Sequence, residues 1–408
     1  MNRVLKIAMD VHSSNYTLCA MEPVVGAEDR VFANIQVPPD YKNVLQFIEN
    51  LKKKLGLTDT YSVECGYEAG CLGYSLYHQL TNAGVKCVIL APSTMLAPQG
   101  KRVKTDARDA NMIAQCLCYG GYHAVHVPTD KDDSVKEYLR MRDDHKLALK
   151  KIKQQINAFC LRHGFFYDGN KWTIKHWNWL KTLEVDDLLR KTLDEYLASY
   201  KEHSSKIERF DKRIEELAGD DDYKESVKKL GCLLGIKTHT ALSLIVETGD
   251  FSRFAKGNTY AAFLALAPGE SSSGTKIQRS GISKAGNSHL RTLLIEGARG
   301  ICKGQIGHKS KELRCRQDGN TADVIAYADR ANTRLQSKYY RMIRHGEKKC
   351  SGCCSCQGTC LLCMGNDDRH YRFQRSRKEG SMSNIWSICL SRVLRTAYAA
   401  SPVTAICP

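Results

Sequence analysis

The chain of 408 residues has no run of about 18 consecutive apolar residues, the least that spans a bilayer as a helix. Its start, Met1-Asn2-Arg3-Val4-Leu5, passes directly into a strand-like segment with no apolar leader. Neither a signal peptide nor a membrane span is therefore expected, and the chain reads as cytoplasmic. Negative charge is scarce as well. Against 61 Lys and Arg stand only 44 Asp and Glu, a formal net charge of +17. Such an excess is large for an ordinary cytosolic enzyme and points to a polyanionic partner, most simply DNA or RNA. Between residues 130 and 230 Gly and Pro are few and charges many, which favours long helices over a loop-rich region. Cysteine is plentiful at 18 residues, yet six of these crowd into Cys350, Cys353, Cys354, Cys356, Cys360 and Cys363. The scattered ones, such as Cys19, Cys65 and Cys87 on strand-like segments, read as small buried hydrophobes rather than disulfide partners.

What is present begins with strands. Val4 to Met9 is an apolar run ending at Asp10, followed after the turn-like His12-Ser13-Ser14-Asn15 by Tyr16 to Met21, a hairpin pattern. Arg30 to Val37 reads as a third strand, and Asp40 to Leu55 as an amphipathic helix through Val44, Phe47, Ile48 and Leu51. A fourth strand is expected over Thr60 to Glu64, running into Gly66-Tyr67-Glu68-Ala69-Gly70. A helix from Tyr74 to Ala83 then leads to a fifth strand over Lys86 to Pro92. Three strands, helix, strand, helix, strand is the order of a ribonuclease-H-like (RuvC-like) layer, an antiparallel opening meander joined to parallel strands by helical crossovers.

The stretch Lys104-Thr105-Asp106-Ala107-Arg108-Asp109-Ala110 sets two carboxylates three residues apart on one face at the start of a helix. Taken alone it is a cap favoured by the helix dipole, with Thr105 or Asp106 in the capping position and Lys101, Arg102 and Lys104 basic before it. In the layer above, the ends of neighbouring strands are adjacent, so Asp10 and Glu68 can approach Asp106 and Asp109. Four converging carboxylates call for a cation, and oxygen ligands of this kind suit Mg²⁺ or Mn²⁺. Glu64 competes with Glu68; the flanking Gly66 and Gly70 favour Glu68, because they permit close approach of backbone or substrate.

The middle of the chain carries Leu149, Ile152, Ile156 and Phe159 at alternating spacings of three and four. Leu193, Tyr200, Ile207 and Ile214 then recur every seven residues, with Tyr196, His203, Phe210 and Leu217 offset by three. This is a heptad seam, compatible with an intramolecular hairpin or a dimer-forming coiled coil. An aromatic connection, Phe165 to Trp179, lies between the helices and reads as packing rather than a base-stacking platform. Farther on, Leu233-Leu234-Gly235-Ile236-Lys237-Thr238 resembles a helix-hairpin-helix turn with Lys237 where its second glycine usually stands. A serine-glycine loop follows at Glu270-Ser271-Ser272-Ser273-Gly274, flanked by Lys276, Arg279, Lys284 and Arg291. By itself it is a flexible polar loop; beside those cations it can set a nucleophilic hydroxyl against phosphate.

Together these residues resemble a family. Asp10, Glu68, Asp106 and Asp109, the wording Lys-Thr-Asp-Ala-Arg-Asp-Ala, a helical middle, then Ala-Pro-Gly-Glu-Ser-Ser-Ser-Gly and Ile-Ser-Lys-Ala-Gly-Asn-Ser-His-Leu-Arg are similar to the DEDD-type transposases of the IS110 and IS1111 insertion sequences. The Tyr67-Glu68-Ala69-Gly70 form favours the second group, and the resemblance spans residues 4 to 349. It implies a recombinase that joins donor and target DNA under a bridge RNA, acting as a homo-oligomer, a dimer or tetramer. It further implies Mg²⁺ held by Asp10, Glu68, Asp106 and Asp109, and Ser273 as nucleophile, with Ser272 and Ser271 as alternatives because three consecutive serines blur the register. A binding-only remnant and a metal-dependent RuvC-like nuclease for branched DNA are the competing readings.

The expected organisation is an α/β RuvC-like domain over 1–128, an α-helical coiled-coil region over 129–225, and a mainly α-helical, serine-bearing transposase domain over 226–349. A Cys-rich, then basic tail occupies 350–408, and two readings of it stay open. Cys350-x-x-Cys353 and Cys360-x-x-Cys363 have zinc-like spacing. Alternatively, plausible codons for this run, read one base later, encode the alanine-rich helix with which the family would continue. That outcome implies a single-nucleotide frameshift near Lys349 and a disordered, out-of-frame peptide after it.

Overall fold

The structure is a computed structural model that describes residues 3–24, 28–56, 61–95, 105–255, 257–266, 268–270, 273, 278–282, 286–301 and 305–345. The Cys-rich tail and both readings of it lie outside the described residues. Two compact units divide the chain, Met1–Val127 and Pro128–Pro408.

In the first unit, β1 (Arg3–Val11), β2 (Tyr16–Glu22), β3 (Arg30–Val37), β4 (Tyr61–Glu68) and β5 (Lys86–Leu90) form one sheet in the order β3-β2-β1-β4-β5. The β1–β2 and β2–β3 pairs are antiparallel, whereas β1–β4 and β4–β5 are parallel. This mixed sheet is compatible with a ribonuclease-H-like domain. The parallel pairs need crossovers, which α1 (Tyr41–Leu55) and α2 (Ser75–Asn82) supply. Asp40 caps α1 by accepting a hydrogen bond from the Lys42 backbone amide at 2.9 Å. The strand expected to stop at Glu64 instead continues to Glu68, because its Gly66 lies in register with Ala8 and is covered from above. A Cβ at Gly66 would meet Leu117 Cδ2 at 2.7 Å, so here glycine serves close helix packing within a strand.

Residue parity divides the sheet into two faces. Leu5, Ile7, Met9, Leu18, Cys65, Tyr67 and Ile89 pack on Val44, Phe47, Ile48 and Leu51 of α1 and on Leu76 and Leu80 of α2. Ala8, Cys19, Met21 and Leu90 pack on Ala110, Ile113, Ala114 and Leu117 of α3 (Asp106–Tyr119). The small residues Ala8, Gly66, Ala110 and Ala114 let α3 lie close over the centre of the sheet.

The second unit is mostly helical. Its helices α4 (Asp130–Arg162), α5 (Ile174–Lys181) and α6 (Asp187–Ala218) form a long antiparallel arm. Ile152, Ile156 and Phe159 of α4 bury with Leu180 of α5 and with Leu193 and Leu197 of α6, while Val135 and Leu139 join Ile214 and Ala218 in a larger core. The periodic positions of α6 thus pack on α4 of the same chain, and the Arg142 guanidinium grips Asp211 at 2.7 and 3.1 Å midway. The aromatic connection closes the arm, with Trp172 stacked on Tyr200 at 5.3 Å.

The rest of the unit comprises α7 (Lys224–Gly231), α8 (Thr238–Thr248), α9 (Gly257–Phe263), the two-stranded ladder β6 (Pro268–Glu270) and β7 (Arg279–Ile282), α10 (Ser288–Ile301), α11 (Lys311–Gln317) and α12 (Ala322–His345). The α7–α8 turn is fastened from within. Gly235 has φ +78°, and a Cβ there would sit 2.0 Å from the Gly297 carbonyl oxygen of α10. Asn332 accepts from the Leu234 amide at 2.9 Å, and the Arg316 guanidinium donates to the Ile236 carbonyl.

A buried charged network links α4, α8 and α10. His289 lies 2.5 Å from Glu247 through Nδ1 and 2.8 Å from Asp143 through Nε2. Arg140 donates to Glu247 at 3.1 and 3.0 Å, and Asn287 donates to it at 2.5 Å. Burial alone would lower the His289 pKa; the two carboxylates outweigh it and push it up to about 9. Glu247 and Asp143 are in turn held down at about 2.

No helix among the described residues is long and apolar enough to cross a membrane.

Candidate functional site

Strand register places Asp10. Met9 of β1 pairs with Tyr67 of β4, so Asp10 and Glu68 come next on adjacent strand ends, while Asp10 pairs with Thr17 across the β1–β2 hairpin. By parity all three belong to the face that α3 covers. Thr105 is the N-cap of α3 by its backbone, φ −143°, with no side-chain capping hydrogen bond, and Asp106 and Asp109 fill the first turn. The helix therefore delivers its carboxylates over the C-terminal end of the sheet.

The carboxylate oxygens of Asp10 and Asp106 and a ring nitrogen of His12 lie within 4.8 Å of one another. His12 Nε2 stands 3.4 Å from Asp10 Oδ2. That buried oxygen has no hydrogen-bond partner among the described residues, nor has Thr17 Oγ1. Burial raises the Asp10 pKa above the ordinary carboxylate value; His12 opposes this, and Asp109 and Asp106 add to it. A buried acceptor without a donor is costly, and an acid pushed up by neighbouring acids gains most from a positive charge. A divalent cation that accepts oxygen ligands fits this set.

Glu68 is half-buried at the end of β4 and, like Asp109, outside the 4.8 Å group. Glu64 is buried two positions behind Gly66 and bound by Lys6 at 2.7 Å and Lys86 at 3.3 Å. Burial raises its pKa, but the two lysines outweigh this and hold it below the ordinary value. Its charge is already compensated.

The first turn of α3 is pinned by side chains that the sequence did not single out. Asn34 of β3 donates to the Ala107 carbonyl at 3.1 Å and to Asn111 Oδ1 at 3.2 Å, and Cys19 donates its thiol to the same oxygen at 2.9 Å. Burial pushes the Cys19 thiol up to about 11, so it remains a donor at neutral pH. Asn111→Ala removes the shared acceptor and is expected to destabilise the chain by about 1 kcal/mol in thermal denaturation. Any activity that depends on Asp106 and Asp109 should fall by more than that loss of folded protein explains, because both ride on this turn.

His12 and Thr17 were equally unmarked. The available signal was period-two spacing: His12 lies two residues after Asp10, and the hairpin turn, closed by the His12 amide on the Asn15 carbonyl at 3.0 Å, sets Thr17 opposite Asp10. Composition could not show that the imidazole turns back toward the carboxylate.

Ser273 is exposed and lies between β6 and β7 in the second unit, whereas Ser271 and Ser272 lie outside the described residues. Lys237 is exposed with its amine on Glu312 at 2.8 Å, and Arg291 donates to the Leu264 carbonyl at 3.2 Å. Arg279 opens β7. Lys101, Arg102, Lys104, Lys276 and Lys284 lie outside the described residues.

Comparison with known proteins covers both units. The sequence profile of the transposase family IS116/IS110/IS902 matches residues 228–312, and a DEDD-type IS110 transposase profile matches residues 7–165. A putative transposase, y4qE, of Sinorhizobium fredii is 33% identical over 293 residues, 70% of each chain. The transposase for insertion sequence element IS1533 of Leptospira borgpetersenii is 26% identical over 356 residues, 83% of this chain and 96% of that one. The transposase for IS1111A of Coxiella burnetii is 27% identical over 228 residues, 56% of this chain and 62% of its own.

Proposed function

The chain belongs to the IS116/IS110/IS902 family of transposases, and from that premise we propose that it moves an insertion sequence by metal-assisted, serine-mediated cleavage and rejoining of DNA. The observation that carries the reading is the meeting of Asp10 and Asp106 around a buried carboxylate oxygen that has no hydrogen-bond partner among the described residues. In this proposal residues 1–128 are a RuvC-like domain whose Asp10, Glu68, Asp106 and Asp109 hold Mg²⁺ or Mn²⁺. The bound ion would neutralise charge on the scissile phosphate and lower the pKa of an attacking hydroxyl.

The serine-bearing domain, 226–349, supplies Ser273. Its Oγ attacks phosphorus; the Oγ–P bond forms as the bond from phosphorus to one sugar oxygen breaks, the serine proton leaves to water, and the departing oxygen takes a proton. Attack by a second DNA end on this phosphoserine reverses the exchange and rejoins the strands, so no external energy source is needed. Lys101, Arg102, Lys104, Lys237, Lys276, Arg279, Lys284 and Arg291 are proposed to meet phosphates of DNA or of a bridge RNA that selects donor and target. The seam of the helical region 129–225 is taken up within the chain, by α6 packing on α4, and the protein is proposed to act as a dimer or tetramer in the cytoplasm through other surfaces.

The test is recombination of a donor plasmid by purified protein with RNA transcribed from the DNA flanking its gene, followed by denaturing electrophoresis. A protein–DNA adduct that Ser273→Ala loses is the expected result. Cleavage with no adduct overturns the serine step and leaves the metal-dependent nuclease; nucleic-acid binding without cleavage leaves the remnant.

A further inference from the structure

Resting on the reading that Asp10 and Asp106 hold a divalent cation, we propose that His12 is a further ligand of that site and biases it toward Mn²⁺ and Co²⁺ over Mg²⁺. Three observations carry this. A His12 ring nitrogen lies within 4.8 Å of ligand oxygens from both Asp10 and Asp106, close enough for one ion to touch all three. Its Nε2 faces Asp10 Oδ2 at 3.4 Å, and that buried oxygen is left without a hydrogen-bond partner among the described residues. At 3.4 Å the nitrogen–carboxylate contact is long for a charge-assisted hydrogen bond, whereas an ion between the two atoms would bind both. Third, the side wall of the site holds another unsatisfied oxygen: Thr17, cross-strand from Asp10 on the same face, is 4% exposed with Oγ1 unpartnered among the described residues.

To the proposed carboxylates, of which Asp10 and Asp106 already lie within 4.8 Å of the ring nitrogen, this adds one imidazole, with a neutral hydroxyl oxygen on the cross-strand residue. A set made only of carboxylates and water suits Mg²⁺, which demands near-octahedral oxygen coordination and gives up water reluctantly. Replacing one oxygen by imidazole nitrogen moves the site along the affinity series in which Mn²⁺ and then Co²⁺ gain on harder ions. The His12 side chain is half-exposed at 52%, so it can swing onto an ion without opening the core. A surface His–Asp ion pair, the alternative role for this contact, adds little in water and predicts no effect on metal choice.

The experiment uses the full chain and Mn²⁺ as the probe. Manganese binding is titrated by electron paramagnetic resonance and competed with Mg²⁺, and spin-echo modulation reports whether a nitrogen is bonded directly to the ion. Wild type is expected to show directly bonded nitrogen. His12→Ala should lose that modulation while still binding Mn²⁺, and its preference for Mn²⁺ over Mg²⁺ should fall roughly tenfold. His12→Gln, which restores an oxygen donor, should keep Mg²⁺ binding near wild type and lack the nitrogen signal. Because His12 is at a half-exposed turn, unchanged circular dichroism is expected for both variants. Bound Mn²⁺ without nitrogen coupling in wild type, or an unchanged metal preference in His12→Ala, overturns the assignment of His12 and leaves the carboxylate site standing. No Mn²⁺ bound by wild type overturns the metal reading itself, and this inference with it.

Discussion

Asp10→Asn is expected to slow DNA strand cleavage by about a thousandfold while leaving the uncomplexed protein more thermostable than wild type. The first half follows from the proposed role: a carboxylate that holds an ion at a scissile phosphate contributes several kcal/mol to the transition state, and ~4 kcal/mol is roughly three powers of ten in rate. The second half follows from electrostatics. Burial and the neighbouring Asp109 and Asp106 raise the Asp10 pKa despite His12, so its ionised form is disfavoured in the folded chain. A group whose folded pKa is raised stabilises the fold at low pH and loses that contribution as pH rises through the folded value; at neutral pH its charge is a burden that the neutral amide removes. Cleavage assays and melting curves on one preparation check both. A variant that is inactive and also less stable would mean that Asp10 holds the fold rather than an ion.

Glu247→Ala is expected to destabilise the protein by about 3 to 5 kcal/mol, because it takes one member from a buried set and leaves His289 and Asn287 without their shared acceptor. Against a total stability of roughly 5 to 15 kcal/mol this is severe. The same network fixes a pH profile. His289 rises from an ordinary 6.5 to about 9, so its contribution is complete below 6.5 and is lost as pH rises through 9. His239, buried beside Asp143, is depressed from 6.5 to about 4, so its contribution is complete above 6.5 and is lost as pH falls through 4. Glu247 and Asp143, both near 2, lose theirs only below the ordinary carboxylate range. Stability from this network therefore peaks near pH 6.5. Urea denaturation at several pH values should show His289→Gln flattening the alkaline limb between 6.5 and 9; an alkaline limb as steep as wild type would show that His289 is not charged in the fold. Asn287 ends the segment that carries Ser273 and donates to Glu247, so the network also anchors the base of the proposed nucleophile loop.

Much of the sheet was legible because local patterns coincide with the final packing. The Tyr16 to Glu22 and Arg30 to Val37 strands and the Tyr41 to Leu55 helix stand where alternation and helical spacing put them, since each element's apolar side is the side it buries. β4 runs past Glu64 to Glu68, and the close approach that Gly66 permits turns out to be that of Leu117 of α3 lying over the strand. Glu64 and Glu68 share a strand face, and the flanking glycines favour Glu68; the cross-strand lysines at Glu64 supply the physical reason, because its charge is already compensated.

By itself the sequence determined the family, the order of strands and helices in the first unit, and the short list of acidic residues from which a site can be built, because these depend on residue type and spacing along the chain. It could not say which atoms meet. That His12 turns onto Asp10, that Thr17 stands opposite it with no hydrogen-bond partner among the described residues, and that Asn34, Cys19 and Asn111 hold the first turn of α3 in place are consequences of register and helix docking. Asp10 and Asp106 are 96 positions apart in the chain, and only the packing of α3 against the sheet brings their carboxylate oxygens within 4.8 Å of one another.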